Sequence, residues 1–240
     1  AFFFTIQIYG DFSGYSDIAI GCARLFGIDL MRNFKYPYFS RDIAEFWRRW
    51  HISLTTWFRD YIYIPLGGSR AGKWKSFRNT LVIFLVSGFW HGANWTFVAW
   101  GAYHALLFLP LLLLGQNRRY RDSVAENSFL PSVKELTQMG ATFLLVLLGW
   151  ILFRSERMFN VSLFSAPQLV GLGFGQLLLK KCFFFTALMF VVEWIGRKQA
   201  HGLMIEDLSL PVRYVIYTVL LIIIYGFDAS NPQGFIYFQF

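Results

Sequence analysis

The sequence predicts an all-α, polytopic membrane protein in which transmembrane helices alternate with interfacial or re-entrant helices. Of its 240 residues, 56% are hydrophobic and 20% are aromatic. Only 15% are charged, compared with about 25% in ordinary soluble domains. The mean hydropathy is +0.44. A soluble domain of this size could not bury so much apolar surface, so we expect lipid to solvate much of it.

Several apolar stretches approach the roughly 20 residues that a membrane helix requires. The uncharged stretch 79–116 is too long for one span, because a single helix of that length would exceed ~50 Å in a hydrocarbon core of about 30 Å. We therefore expect it to break near Gly92 into two helices. The other predicted spans cover residues 2–26, 136–153, 181–195 and 212–227.

Residues 158–179 are uncharged but are interrupted by Pro167, Gly171, Gly173 and Gly175. Such interruptions favour a re-entrant or interfacial segment over a regular span. The first residues are already apolar and include no Met. We therefore expect residues 1–240 to form a single membrane domain, the C-terminal portion of a longer protein whose N-terminal helices are missing.

The formal charge of +8 is carried by Lys and Arg in the segments between spans. This distribution is typical of loops that stay on the cytoplasmic side, and it does not indicate nucleic-acid binding. Accordingly, the basic loops before and after residues 79–116 should both face the cytoplasm. The two cysteines, Cys22 and Cys182, lie in apolar stretches and indicate neither a disulfide framework nor a metal site.

Residues 41–60 predict one amphipathic helix rich in Trp and Arg, suited to the bilayer interface. Ser40 is the expected N-cap, and Asp42 suits the first turn. His51 falls at the edge of the apolar face, beside Phe58. A histidine there can be an interfacial hydrogen-bonding residue or a functional one.

The first predicted span contains polar residues that are expensive in a membrane: Asp11, Ser13 and Asp17. Ser13 and Asp17 share a helical face with Gly10, Gly14 and Gly21. Two interpretations remain open. These residues can form a small-residue surface that packs against another helix, or a polar wall of a substrate tunnel.

His91 lies deep in the uncharged stretch, within the sequence Trp90-His91-Gly92-Ala93-Asn94. A neutral imidazole is tolerable there and can act as a base or an acid near neutral pH. Asn94 could orient the ring or donate a hydrogen bond to an oxyanion. The alternative is a histidine that only packs between helices. On a continuous helix, His104 would not share a face with His91.

The sequence does not contain the motifs of several other kinds of active site. There is no His-Glu-x-x-His pattern or clustered Cys and His spacing, so no metal is expected. No Gly-x-Ser-x-Gly elbow occurs. The glycine-rich loop 67–74 ends in Trp74, where a nucleotide-binding loop needs Ser or Thr.

Three motifs together resemble the membrane-bound O-acyltransferase family. They occupy residues 7–17, 46–54 and 59–68. Residues 90–95 and the ending 235–240 are similar to the bacterial alginate O-acetyltransferase branch. The resemblance implies a multi-helix fold with a tunnel, His91 as the essential histidine and His51 as a second one. The supporting or tunnel residues expected with these histidines are Trp90, Asn94, Asp11, Ser13, Asp17 and Asp60.

The resemblance further implies acyl transfer, with acetyl as the expected group, from a cytoplasmic thioester such as acetyl-CoA to a hydroxyl. The product would be an acylated extracytoplasmic polysaccharide, made at the bacterial inner membrane without a bound cofactor. The expected partners are the donor, membrane lipid, and a polysaccharide or an extracytoplasmic transfer protein, without nucleic acid.

Three other interpretations of the function remain open. One is D-alanyl transfer from a carrier protein, as in a related branch. The second is a transporter component, favoured by buried acids and broken segments. The third is a scaffold in which the histidines are purely structural.

Overall fold

The computed structural model describes residues 1–70, 72–155, 172–199, 201 and 204–226. Within these residues, all regular structure is helical, as predicted. The α-helices are α1 (Phe2–Leu25), α2 (Ile43–Arg49), α3 (Ile52–Phe58), α4 (Lys73–His91), α5 (Trp95–Leu113), α6 (Val133–Arg154), α7 (Leu172–Gly196) and α8 (Leu210–Gly226). A 3₁₀ turn at Pro37–Phe39 precedes α2, and a π-helical turn at Arg59–Tyr63 follows α3.

Two of these helices are long and apolar enough to cross a membrane. They are α5 and α6, with mean hydropathies of 1.7 and 1.9 over their most apolar windows. The other predicted spans, at 2–26, 181–195 and 212–227, fall on α1, α7 and α8, except that residue 227 lies outside the described residues. Residues 158–171 of the predicted re-entrant segment lie outside the described residues. Residues 172–179 belong to α7 instead.

The predicted break near Gly92 is confirmed. Helix α4 ends at His91, and α5 begins at Trp95, where the Asn94 side chain accepts a hydrogen bond from the Thr96 amide at 3.1 Å. The two helices form an antiparallel hairpin with close backbone contact. A Cβ added to Gly88 would lie 2.3 Å from the Phe97 carbonyl oxygen, and one added to Gly101 would lie 2.2 Å from that of Phe84.

The prediction of a single helix over residues 41–60 is wrong. Helix α2 stops at Arg49, and His51 adopts a left-handed conformation with φ 45° and ψ 55°. The Ile52 amide donates to the Asn33 carbonyl oxygen at 2.9 Å instead of continuing the helical ladder. The segment between α1 and α2 therefore crosses this break and fixes it from outside.

The N-cap prediction at Ser40 is also wrong. The Asp42 carboxylate caps α2 by accepting from the Glu45 amide at 2.6 Å. The Ser40 hydroxyl instead donates to the Pro37 carbonyl oxygen at 2.6 Å. The 3₁₀ turn thus uses the hydroxyl that the sequence assigned to the cap.

The polar side of α2 is expected from the sequence to be exposed at the bilayer interface, but the charged residues Arg41, just before the helix, and Glu45 and Arg49, in the helix, are buried within the protein. Glu45 is 1% exposed and accepts from Arg41 at 3.0 Å and from Arg49 at 2.5 Å. Both arginines also donate to the Asp122 carbonyl oxygen at 3.0 Å. Helix α2 is therefore a core element joined by ionic contacts to the loop before α6.

Tryptophans form the centre of the main core. Trp50 from the break after α2, Trp100 from α5 and Trp150 from α6 are each at most 2% exposed. Their ring centroids lie 5.0 Å apart for Trp50 and Trp150 and 5.9 Å apart for Trp100 and Trp150. Helices α2, α5 and α6 consequently meet beside the end of α4, where His91 lies.

Helix α1 packs on this core through large residues such as Phe4, Ile8 and Tyr9. A Cβ added to Gly10, Gly14 or Gly21 would meet nothing within 4 Å among the described residues. The predicted small-residue surface is thus not a packing surface in the described part of the chain.

Candidate active site

His51 and His91 line the same cavity, which has a volume of about 350 Å³. His91 is the last residue of α4, and the backbone turn at Gly92 ends that helix there. His51 is presented by the left-handed turn between α2 and α3. The sequence placed these residues 40 positions apart, and only the packing of α2 against α5 and α6 brings them together.

Aromatic side chains surround His91. Its ring centroid lies 5.3 Å from Trp100 and 5.1 Å from Phe153, both in edge-on contacts. Trp100 is 1% exposed and Phe153 is 2% exposed, so each has little freedom to move. Neither residue could be selected from the sequence, because α5 and α6 meet His91 only through tertiary packing.

His51 is held by neighbours from two segments. Its ring lies 4.7 Å from the Phe12 ring of α1, and its Nδ1 lies 3.5 Å from the Ser53 hydroxyl. That hydroxyl donates to the Asn33 side chain at 2.5 Å. Burial, with a smaller contribution from nearby His91, lowers the pKa of His51 to about 3. Its imidazole is therefore neutral near neutral pH.

The charged residues that line this cavity are all arginines, namely Arg48, Arg59 and Arg118. They are exposed, which places them at the mouth. Arg48 also donates to the carbonyl oxygens of Asn117 and Tyr120, so it ties the mouth to the loop before α6. No acidic side chain lines the cavity among the described residues. This arrangement favours an anionic ligand.

The predicted supporting residues are divided among several places. Trp90 contacts the His91 ring at 5.0 Å but is 55% exposed, and Asn94 caps α5. Asp60 pairs with Arg59 at 2.6 Å on the surface. Asp11 is exposed on α1. Ser13 and Asp17 line a second cavity, without His51 or His91.

His104 lies in the core and does not line the cavity. It is 1% exposed, and its ring contacts Trp100 at 5.2 Å from one side while His91 contacts Trp100 from another. The expectation of separate faces assumed a continuous helix. The break at Gly92 removes that assumption, although the two rings still meet different parts of the core.

A family model matches more than half of the chain. Residues 1–129 match the model of the membrane-bound O-acyltransferase family. The chain belongs to this family. The matched residues include His51, His91 and every arginine at the cavity mouth. The resemblance seen in the motifs is thereby confirmed.

Several curated relatives match about two thirds of the chain at substantial identity. The chain is 47% identical over 155 residues to the probable alginate O-acetylase AlgI of Pseudomonas syringae, covering 65% of this chain and 28% of the relative. It is 41% identical to the peptidoglycan O-acetyltransferase of Helicobacter pylori, with the same coverage. It is 31% identical over 163 residues to the teichoic acid D-alanyltransferase of Bacillus subtilis, covering 64% of this chain and 40% of the relative. The chain thus spans less than a third of the length of the O-acetylating relatives named here.

Proposed function

We propose that this chain forms the catalytic part of a multi-pass inner-membrane O-acyltransferase. It would transfer an acyl group, with acetyl expected, from a cytoplasmic thioester to a hydroxyl that modifies an extracytoplasmic polysaccharide. The observation that carries this proposal is the cavity shared by His51 and His91, with arginines at its mouth. The family match and the O-acetylating relatives support it.

The arginines at the mouth suit the donor. Acyl thioesters are carried on phosphate-bearing arms, and guanidinium groups bind phosphates well. Beyond the mouth the walls are largely aromatic and apolar, including Trp47, Phe84 and Phe108. An uncharged thioester arm can pass such walls, whereas the phosphates would stay with the arginines. This order would present the thioester carbonyl to the two histidines.

His91 is proposed as the general base. It would remove the proton of the acceptor hydroxyl while that oxygen attacks the thioester carbonyl. When the tetrahedral intermediate collapses, the C–S bond breaks, and His91 returns the proton to the departing thiolate. A thioester is already activated, so positioning and oxyanion stabilisation complete the catalysis. Neutral His51, in the tautomer that carries its proton on Nε2, is proposed to donate a hydrogen bond to the negative charge that develops on the carbonyl oxygen.

The test uses the full-length protein in lipid nanodiscs with labelled acetyl-CoA and a hydroxylated acceptor. His91→Gln keeps a polar side chain of similar size but removes the base, so transfer should fall about 10²–10⁴-fold. The melting temperature should stay within a few degrees of the parent protein. Full acetyl transfer by a folded His91→Gln protein would refute the assignment. His51→Gln should reduce transfer without unfolding the protein.

The donor assays also separate the alternative functions. A transporter would move its substrate without consuming the thioester, so the parent protein would release no free CoA. A D-alanyl transferase would prefer a D-alanyl carrier protein to acetyl-CoA. We expect acetyl-CoA to be preferred, because the O-acetylating relatives named above are more similar to this chain than the D-alanyltransferase.

A further inference from the structure

A second cavity of about 540 Å³ lies between α1, the segment that follows it, and α7. One face of α1 contributes Tyr9, Ser13 and Asp17 at four-residue spacing. Across the cavity, α7 contributes Glu193, and the intervening segment contributes Arg32. The cavity therefore combines both signs of charge with hydroxyl groups, unlike the purely basic mouth of the histidine cavity.

Glu193 has an incomplete set of partners. The Tyr9 hydroxyl, on a residue that is 3% exposed, donates to Oε1 of Glu193. The other oxygen, Oε2, is buried and has no hydrogen-bond partner among the described residues. Among the residues that the structure describes, no Lys or Arg forms an ion pair with Glu193. Buried polar atoms are rarely left unsatisfied, so this oxygen calls for a donor from a ligand.

The surrounding groups select the kind of donor. A cationic ligand would meet Arg32, and an anionic ligand would meet Asp17 and Glu193. A neutral hydroxyl can donate to Glu193 and accept from Arg32. Phe34 and Phe185 also line the cavity. The faces of their rings carry partial negative charge and can pack against the C–H groups of a sugar ring. We infer that the second cavity binds a neutral, hydroxyl-rich sugar unit, with Glu193 and Tyr9 as its main polar contacts.

The position of the cavity suggests that this sugar is the acyl acceptor, a step that rests on the proposed function. A chain of aromatic side chains connects the walls of the two cavities. The Phe12 ring lies 4.7 Å from His51 on one side and 5.0 Å from Phe34 on the other. Phe34 in turn lies 4.9 Å from Trp50, which lines the histidine cavity. A sugar that packs on Phe34 would thus be separated from His51 by two rings, those of Phe34 and Phe12.

The experiment measures binding separately from catalysis. Full-length protein in detergent is titrated with cellotetraose, a neutral sugar oligomer, without any thioester. Glu193→Gln replaces one carboxyl oxygen, an acceptor, by an amide NH₂ group, a donor, and we expect affinity to fall about 10-fold. Glu206→Gln is the matched control, because Glu206 is exposed and lines neither cavity. It should bind as the parent protein does.

Two further variants keep the test decisive. If Glu193→Gln does not fold, Tyr9→Phe removes only the donor to Glu193 and should also weaken binding several-fold. His91→Gln should abolish transfer yet bind cellotetraose normally, so failure of the proposed function is distinguishable from failure of this inference. Equal affinity of the Glu193→Gln and Glu206→Gln proteins would overturn the inference. So would tighter binding of a serine-containing peptide than of the sugar.

Discussion

At the residue scale, His51 combines two features that the sequence does not display. It adopts a left-handed backbone with φ 45°, which is uncommon for residues other than Gly. It is also neutral, because burial and nearby His91 lower its pKa to about 3. Strained backbone conformations are often found at functional sites, and this one aims the ring into the cavity.

The lowered pKa of His51 predicts a pH-dependent stability. Below about pH 6.5 the unfolded chain binds a proton on His51, whereas the folded chain does not until about pH 3. Stability should therefore fall as the pH decreases through this window, by up to about 1.4 kcal/mol per pH unit from this residue. His51→Asn keeps a residue that tolerates the left-handed backbone and removes the titration.

Thermal unfolding from pH 8 to pH 4 checks this prediction. The melting temperature of the parent protein should fall more steeply than that of His51→Asn. At pH 8 the His51 imidazole is neutral in both the folded and the unfolded chain. The difference in melting temperature between the parent protein and His51→Asn at that pH therefore reports only the packing effect of the substitution. Parallel curves for the two proteins would contradict the prediction.

At the element scale, the α4–α5 hairpin depends on glycines at its closest contact. A methyl group on Gly88 or Gly101 would collide with a carbonyl oxygen of the other helix. Because neither helix can move without displacing the end of α4, we expect Gly88→Ala and Gly101→Ala each to destabilise the protein by about 1–3 kcal/mol. Both changes should also reduce acyl transfer by displacing His91.

Gly140→Ala in α6 is the matched control for this prediction. A Cβ there would meet nothing within 4 Å among the described residues. Because Ala favours a helix over Gly, the change should be neutral or stabilise by up to ~1 kcal/mol. Melting temperatures of the three variants, measured in the same detergent, provide the comparison. A stable Gly101→Ala protein would show that the two helices can separate without cost.

The buried ionic contacts of α2 give a second prediction at this scale. Arg41→Met would leave Glu45 with one arginine fewer and remove the ion pair with the Asp122 carboxylate, although Arg49 would still donate to the Asp122 carbonyl oxygen. Breaking a buried ion pair on one side costs about 3–5 kcal/mol. Arg59→Met, which breaks the exposed pair with Asp60, should cost less than about 1 kcal/mol. Comparable melting temperatures for the two variants would contradict this ranking.

At the scale of the whole molecule, the hairpin places two basic segments at one end. Phe77 near the start of α4 and Leu112 near the end of α5 pack against the same apolar cluster. The segment before α4 and the loop after α5 therefore lie together, beside the arginines at the cavity mouth. This arrangement agrees with the prediction that both basic loops face one side of the membrane.

Cysteine labelling in intact cells tests this placement. In a Cys22→Ser, Cys182→Ser background, which removes both native cysteines, single cysteines are introduced as Lys73→Cys or Arg119→Cys. A membrane-impermeant maleimide should leave both unlabelled from outside and label both after permeabilisation. Labelling of one from outside and of the other only from inside would contradict a shared side.

The helical class, the break beside His91 and the family could all be predicted from the sequence. Composition predicted a helical membrane protein, and charge counting predicted the break next to His91. The order of motifs predicted the family and selected His51. These features are local, because helix length, hydropathy and a break at Gly92 depend on residues close together in the chain.

The contacts that those elements make could not be predicted from the sequence and are visible only in the folded protein. The turn at His51, the burial of Arg41, Glu45 and Arg49, and the separation of Ser13 and Asp17 from His91 all depend on partners distant in sequence. An amphipathic pattern shows which residues share a face but not what covers that face. Asn33 diverts the backbone at Ile52, and Asp122 satisfies the buried arginines. Such long-range partners override the local pattern because buried polar groups must be satisfied wherever the fold supplies a partner.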